Sequence, residues 1–152
     1  MQYLGILIVA LLMQLALEGC SSDGPQKPEI DFYVDASHEV NDGRIVYMMA
    51  RAVNEKQFLD ESYAAIAGKA FPKTVDPELL KLQPIYPGQK SIVHVSGPEQ
   101  GFVAIYFLFT DPGNNWRSIL ELPLQTAYGI ELPDRNHVLM GDEPGFFSRL
   151  SY

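Results

Sequence analysis

Phe102-Val103-Ala104-Ile105-Tyr106-Phe107-Leu108-Phe109 is a run of eight apolar and aromatic residues with no polar interruption. A strand with one wet face alternates; a run that does not alternate fits a strand covered on both faces. One cover is expected from a facing sheet and the other from a helix. Leu59, Tyr63, Ile66, Ala67 and Ala70 recur at i, i+4, i+7, i+8 and i+11, which is one face of a single helix from Asn54 to Ala70. Asn54, with Gln57 three residues later, makes a capping-box variant at its start, and Gly68 is the expected stop. A second short helical turn is expected through Asp76-Pro77-Glu78-Leu79-Leu80, with Asp76 as cap and Pro77 at the first helical position.

Outward from this pair the chain reads as strands. Ile30, Phe32, Val34 and Ala36 alternate with Asp31, Tyr33 and Asp35, a half-buried strand. Asn41-Asp42-Gly43 is a turn signal inside the stretch Ser37 to Arg44. Ile45 to Val53 is a second strand, with Val46, Met48, Ala50 and Ala52 on one face and Arg51 on the other. Pro84 and Pro87-Gly88 punctuate a turn, and Ser91 to Val95 is a strand. Beyond the central run, Asp111 to Asn115 is a turn, and Trp116 to Leu122 alternates with Trp116, Ser118, Leu120 and Leu122 on one side. Tyr128 to Leu132 and His137 to Met140 form a last hairpin around Pro133-Asp134-Arg135-Asn136. Short strands at this spacing indicate a mainly β, two-sheet antiparallel sandwich with one inserted amphipathic helix. The domain is expected over 30–140, with the helical insertion near 54–82; the tail 141–152 has no period.

The amino terminus has a separate logic. Tyr3 to Leu17 is nearly all apolar, about 15 residues, against the roughly 20 that a membrane-spanning helix needs. It has the length of a secretory h-region and ends in Leu17-Glu18-Gly19-Cys20. Leu-x-Gly-Cys after such a run resembles a bacterial lipobox. A plain signal peptide or an uncleaved N-terminal membrane helix would share the apolar run. Cys20, the chain's only cysteine, is what speaks for the lipobox. On that reading 1–19 is a lipoprotein signal peptide and Cys20 takes the acyl chains that hold a protein stably on a bilayer. Residues 20–29, polar with Gly24, Pro25 and Pro28, are the lipidated tether.

Composition narrows the partners. A net charge of −8 makes nucleic acid an unsuitable ligand and gives no attraction to anionic lipid. With a single cysteine no internal disulfide is possible. His38, His94 and His137 have no metal-ligand spacing. There is no phosphate loop, dinucleotide fingerprint or nucleophile elbow, and no pair of acids stands out for general acid–base work. The sequence therefore predicts no enzyme, no metal and no cofactor.

The order of features carries a family resemblance. It runs from the lipobox and short tether to a strand ending in Ala36-Ser37, then a loop with Asn41 and Gly43-Arg44, an apolar strand, and a helix carrying Phe58. Tyr86-Pro87-Gly88-Gln89, the aromatic-rich strand and Trp116-Arg117 follow. From about Leu17 to about Met140 the chain resembles the TssJ (SciN-type) outer-membrane lipoproteins of bacterial type VI secretion. The resemblance implies a transthyretin-like sandwich with an added helical element and no catalytic activity. It implies an outer-membrane location facing the periplasm, which Ser21 after Cys20 suits. It also implies, as partner, the periplasmic domain of a TssM-like inner-membrane protein, held by the loop between the first two strands. Here that loop is Ser37, His38, Glu39, Val40, Asn41, Asp42, Gly43 and Arg44. A short exposed loop on a rigid scaffold suits recognition, with His38, Asn41 and Arg44 as polar anchors and Val40 as an apolar one. The alternative is a small-molecule or glycan-binding periplasmic lipoprotein, in which the aromatic run 102–109 would line a pocket.

Overall fold

The structure, a computed structural model, describes residues 27–74 and 76–141. Cys20, the signal segment and the tail after Gly141 lie outside the described residues. Among the described residues eight strands form: β1 Glu29–Ala36, β2 Val46–Val53, β3 Leu79–Ile85, β4 Lys90–Ser96, β5 Phe102–Leu108, β6 Arg117–Ile119, β7 Ala127–Leu132 and β8 Leu139–Gly141. Two helices, α1 Glu55–Asp60 and α2 Tyr63–Ala70, follow β2.

The strands make two four-stranded sheets, in the orders β4-β1-β7-β8 and β3-β2-β5-β6. Ile30, Phe32, Val34 and Ala36 of β1 are buried as their alternation predicts, against Val46, Met48 and Ala50 of β2 and Val103, Ile105 and Phe107 of β5. β5 is covered on its other face too. Ala104 and Tyr106 pack with Met49, Val53 and Ile66 of α2 in a second apolar cluster. The unbroken run is thus a strand sandwiched between a sheet and helices. The aromatic pocket expected of a ligand-binding protein is not built from it, because Val103 to Phe107 are all fully buried in these two cores.

Several expectations are corrected. The sandwich is not wholly antiparallel: β1 pairs with β7 in parallel, Phe32 beside Tyr128 and Val34 beside Ile130. A tight hairpin forces antiparallel pairing, but no hairpin joins these two strands, so nothing local dictates their direction. The single helix is two. Asn54 caps α1 with a complete capping box, and the helix ends at Asp60. Ser62 then accepts a hydrogen bond from the Ala65 amide and caps α2 afresh. The break changes the buried stripe: Leu59 is 65% exposed, while Phe58 packs beneath α1 against the Tyr106 ring. Gly68 does not stop α2, which runs on to Ala70.

The Asp76-Pro77 stretch makes only one turn, closed by the Leu79 amide on the Asp76 carbonyl at 3.1 Å. The chain then enters β3, a strand not anticipated because Pro84 lies within it. β3 is the outer strand of its sheet, where a residue without an N–H is tolerated. Of the alternating Trp116–Leu122 stretch only Arg117–Ile119 pairs; Leu120 is buried and Leu122 is 54% exposed.

Candidate functional site

The β1–β2 loop lies at one end of the sandwich, beside the β3–β4 turn and the β7–β8 loop. Backbone bonds weld the three together. Ser37 donates to the Leu132 carbonyl at 3.0 Å, Gly88 donates to the Ser37 carbonyl at 3.0 Å, and Asn41 donates to the Arg135 carbonyl at 2.7 Å. The loop narrows into a tight turn, Val40–Gly43, in which Asn41, Asp42 and Gly43 all take positive φ, at 50°, 55° and 74°. Left-handed backbone costs a non-glycine residue about 1–2 kcal/mol, least for Asn and Asp. Asn41 supplies the compensation. Its Nδ2 donates to the Ile45 carbonyl at 2.8 Å, and its Oδ1 accepts from the Thr110 amide at 2.7 Å.

The eight loop residues do not all face solvent. His38, Glu39, Asp42, Gly43 and Arg44 are exposed and Ser37 is half-buried. Val40 is fully buried in the main core, so it is not the apolar anchor expected of the loop. Asn41 is 4% exposed and acts inward. The cause is the same for both: the left-handed turn folds 40–41 under the chain. His38 lies across Gly88, where a Cβ would stand 2.2 Å from its ring; that glycine, with φ +71°, leaves room for the imidazole. Asp42 pairs with Arg135 at 2.9 Å, a residue the sequence reading did not assign to the site. Asp134-Arg135-Asn136 had marked only a turn, and the sequence separation of Asp42 and Arg135 hides their contact. Among the described residues the Arg44 side chain has no ion pair. This surface offers hydrogen bonds and charge on a rigid frame, which suits recognition of a partner.

A second polar constellation, also unanticipated, sits on the outer face of β2. Arg51 was placed on the face opposite the core, and it is there, yet fully buried. A register shift between Ala50 and Arg51 marks its position in the strand. The guanidinium meets three carboxylates: Glu61 at 2.5 Å, Asp76 at 2.8 Å and Glu78 at 2.5 Å. Glu61 also accepts from Lys69 at 2.8 Å and from the Tyr106 hydroxyl at 2.7 Å, and Gln57 donates to Glu78 at 2.7 Å. Burial by itself would raise the Glu61 carboxyl, but hydrogen bonds from Lys69, Tyr106 and Arg51 hold it below its ordinary value. Burial and the bond to Glu61 push the Tyr106 hydroxyl far up. Arg117 closes the other side, donating to the carbonyls of Phe58 and Glu61 and stacking 4.8 Å over the Phe58 ring. A guanidinium at the end of α1 satisfies carbonyls that the helix leaves open. These groups pin the helices to the sheet and do not reach the loop end.

The chain superposes on the T6SS lipoprotein TssJ1 from Pseudomonas aeruginosa with a TM-score of 0.57 at 16% identity, covering 78% of this chain and 99% of that one. Lip from Serratia marcescens, a membrane-bound component of the Type VI Secretion System, gives 0.58 at 15%, covering 76% and 98%. A chain in a structure described as the T6SS protein TssM C-terminal domain (869-1107) from EAEC gives 0.56 at 15%, covering 78% and 99%. The fold is therefore the one seen in TssJ-type lipoproteins. No curated protein matches the chain by sequence. The family model described as IglE, N-terminal domain, matches residues 47–132. That match spans β2 through β7, more than half of the sequence, and the chain belongs to the IglE N-terminal domain family.

Proposed function

We propose that the protein is a lipid-anchored scaffold of a type VI secretion membrane complex, held to the outer membrane through Cys20 and facing the periplasm. Its loop end grips the periplasmic domain of a TssM-like inner-membrane protein. The observation that carries this reading is the loop itself. A left-handed turn fixed by Asn41 presents His38, Glu39, Asp42 and Arg44 from a scaffold that has the TssJ fold. The names of the similar structures, two of them membrane-system lipoproteins or components and one a TssM domain, support the same assignment.

Titration calorimetry of the full chain in detergent against the periplasmic domain of the TssM-like protein from the same cell tests it. The wild type binds, and Arg44→Ala weakens binding about tenfold by removing charge-assisted hydrogen bonds. Added salt weakens the wild type more than the variant. Absence of wild-type binding refutes the assignment.

The anchor is checked separately. Cells fed labelled palmitate incorporate it into the wild type and not into Cys20→Ser. Equal label in both would remove the lipobox. Recovery of the labelled protein in inner-membrane fractions alone would contradict the outer-membrane destination.

A further inference from the structure

The helices do not cover the whole outer face of the β3-β2-β5-β6 sheet: Tyr47 there is half-buried. α1 and α2 cover the end that carries Met49, Val53, Ala104 and Tyr106. The other end carries Tyr47. Val46 pairs with Ile85 and Tyr47 with Pro84, and residues directly opposite share a face. Val46 and Ile85 both point into the main core, so Tyr47 points outward; Ile45 and Tyr86 stand just outside the two strands, next to the Val46–Ile85 pair. Ile45 is 39% and Tyr86 48% exposed. Phe71, the residue after α2, sets its ring edge-on to Tyr47 at 5.0 Å and is 67% exposed. Ile45 follows Arg44 directly, which makes this patch continuous with the loop.

We propose that the partner's contact extends from the loop onto the patch of Ile45, Tyr47, Phe71 and Tyr86, and that the partner meets it with an apolar segment carrying a carboxylate for Arg44. The inference rests on the proposed function and names what that partner must present. Protein interfaces combine an apolar, aromatic-rich centre with a polar rim. The loop supplies a rim in His38, Glu39 and Arg44, but its one large apolar residue, Val40, is consumed by the core. The centre has to come from beside it. Single exposed apolar side chains such as Ile92 and Leu59 are ordinary on a protein surface, whereas a contiguous aromatic patch marks a contact. Charge narrows the occupant. Asp42 is already met by Arg135, and Arg51 and Arg117 are engaged in the helical layer. Arg44 is exposed and, among the described residues, has neither the acid that Arg51 and Arg135 have nor the carbonyls that Arg117 holds, so the complement is a carboxylate.

Full-length chain in detergent, titrated with the periplasmic domain of the TssM-like protein, reads the result. Ile45→Ser, Phe71→Ser and Tyr86→Ser each weaken binding about tenfold with melting curves close to wild type, and Ile92→Ser, on the opposite sheet, binds as wild type. Phe71 touches Tyr47, so if Phe71→Ser melts early, Ile45→Ser and Tyr86→Ser decide. Wild-type affinity in those variants, with Arg44→Ala still weakened, overturns the patch and leaves the loop assignment standing. No binding by the wild type overturns both. Loss of self-association in sedimentation, with the partner's affinity unchanged, would show that a second copy covers the patch and likewise refutes the proposal.

Discussion

Arg51→Met is expected to cost about 3–5 kcal/mol of unfolding free energy and to make stability rise in mild acid, where that of the wild type is flat. The size follows from what remains. Methionine fills similar volume, so little of the loss comes from a cavity. Glu61, Asp76 and Glu78 are left facing one another beside the fully buried site that the guanidinium held. Lys69 still reaches Glu61 at 2.8 Å, but one ammonium does not serve three carboxylates. The pH signs differ. In the wild type the Glu61 carboxyl is held low, after burial, by hydrogen bonds from Lys69, Tyr106 and Arg51. That stabilisation is complete above the ordinary carboxylate range and is lost as pH falls through the depressed folded value. In the variant the clustered acids favour protonation in the folded state, so the native form binds more protons than the unfolded one. Its stability therefore rises as pH drops from neutral toward 5, where the wild type is flat. Denaturant midpoints for both proteins across that range measure the slopes. Parallel slopes, or a midpoint equal to wild type, would show that Arg51 is not what neutralises the cluster. Adding Glu61→Gln to the variant should recover part of the loss, a coupling expected of residues in one network.

What the sequence made legible were the features with a short-range signature. Alternation in Ile30–Ala36 and the unbroken run 102–109 gave β1, β5 and the two-layer cover directly. The capping box at Asn54 gave the start of α1 to the residue. What failed depended on competition between local signals. Ser62 can cap a helix as well as continue one, and its choice moved Phe58 under the helix and Leu59 out into solvent. Pro84 argued against a strand where the edge position in fact allows it. The parallel β1–β7 pair has no local signal at all. The site was half legible in the same way. Asn41-Asp42-Gly43 announced a turn, but not a left-handed one that buries Val40. Arg51 stands on the face its alternation predicts, but its burial has no local signal, because Glu61, Asp76 and Glu78 are brought to it by the helical connection rather than by periodicity. Tyr86 stands beside Ile45 only because β3, a strand with no clear signal in the sequence, brings its end next to the start of β2.

Asn41→Ala is expected to destabilise the fold by about 2–5 kcal/mol, although the residue belongs to a loop most of whose residues are exposed. Two hydrogen bonds are lost, to the Ile45 carbonyl and from the Thr110 amide, worth about 0.5–1.5 kcal/mol each. Alanine at φ 50° adds about 1–2 kcal/mol of backbone strain that asparagine tolerates better. Asn41→Gly separates these terms. It keeps the left-handed conformation without strain and loses only the hydrogen bonds, so its midpoint should fall between wild type and alanine. Arg44→Ala, whose side chain is exposed, should stay within about 0.5 kcal/mol of wild type. The binding measurements then sort the roles. If the proposed partner is the right one, Arg44→Ala weakens its capture with no change in melting, as a contact residue would. Asn41→Gly weakens both, because the turn that aims His38, Asp42 and Arg44 is held from beneath by its amide. Joining Asn41→Ala and Arg44→Ala in one variant would confuse the two effects, so they have to be read singly. If Asn41→Ala melts with the wild type, the left-handed turn is held by the Arg135 carbonyl and Gly43 alone, and Asn41 is not its brace. If Asn41→Gly loses stability yet binds as tightly as wild type, the turn's geometry does not matter to the partner. The contact would then lie away from residues 41–44, toward His38 and the Gly88 turn beneath it.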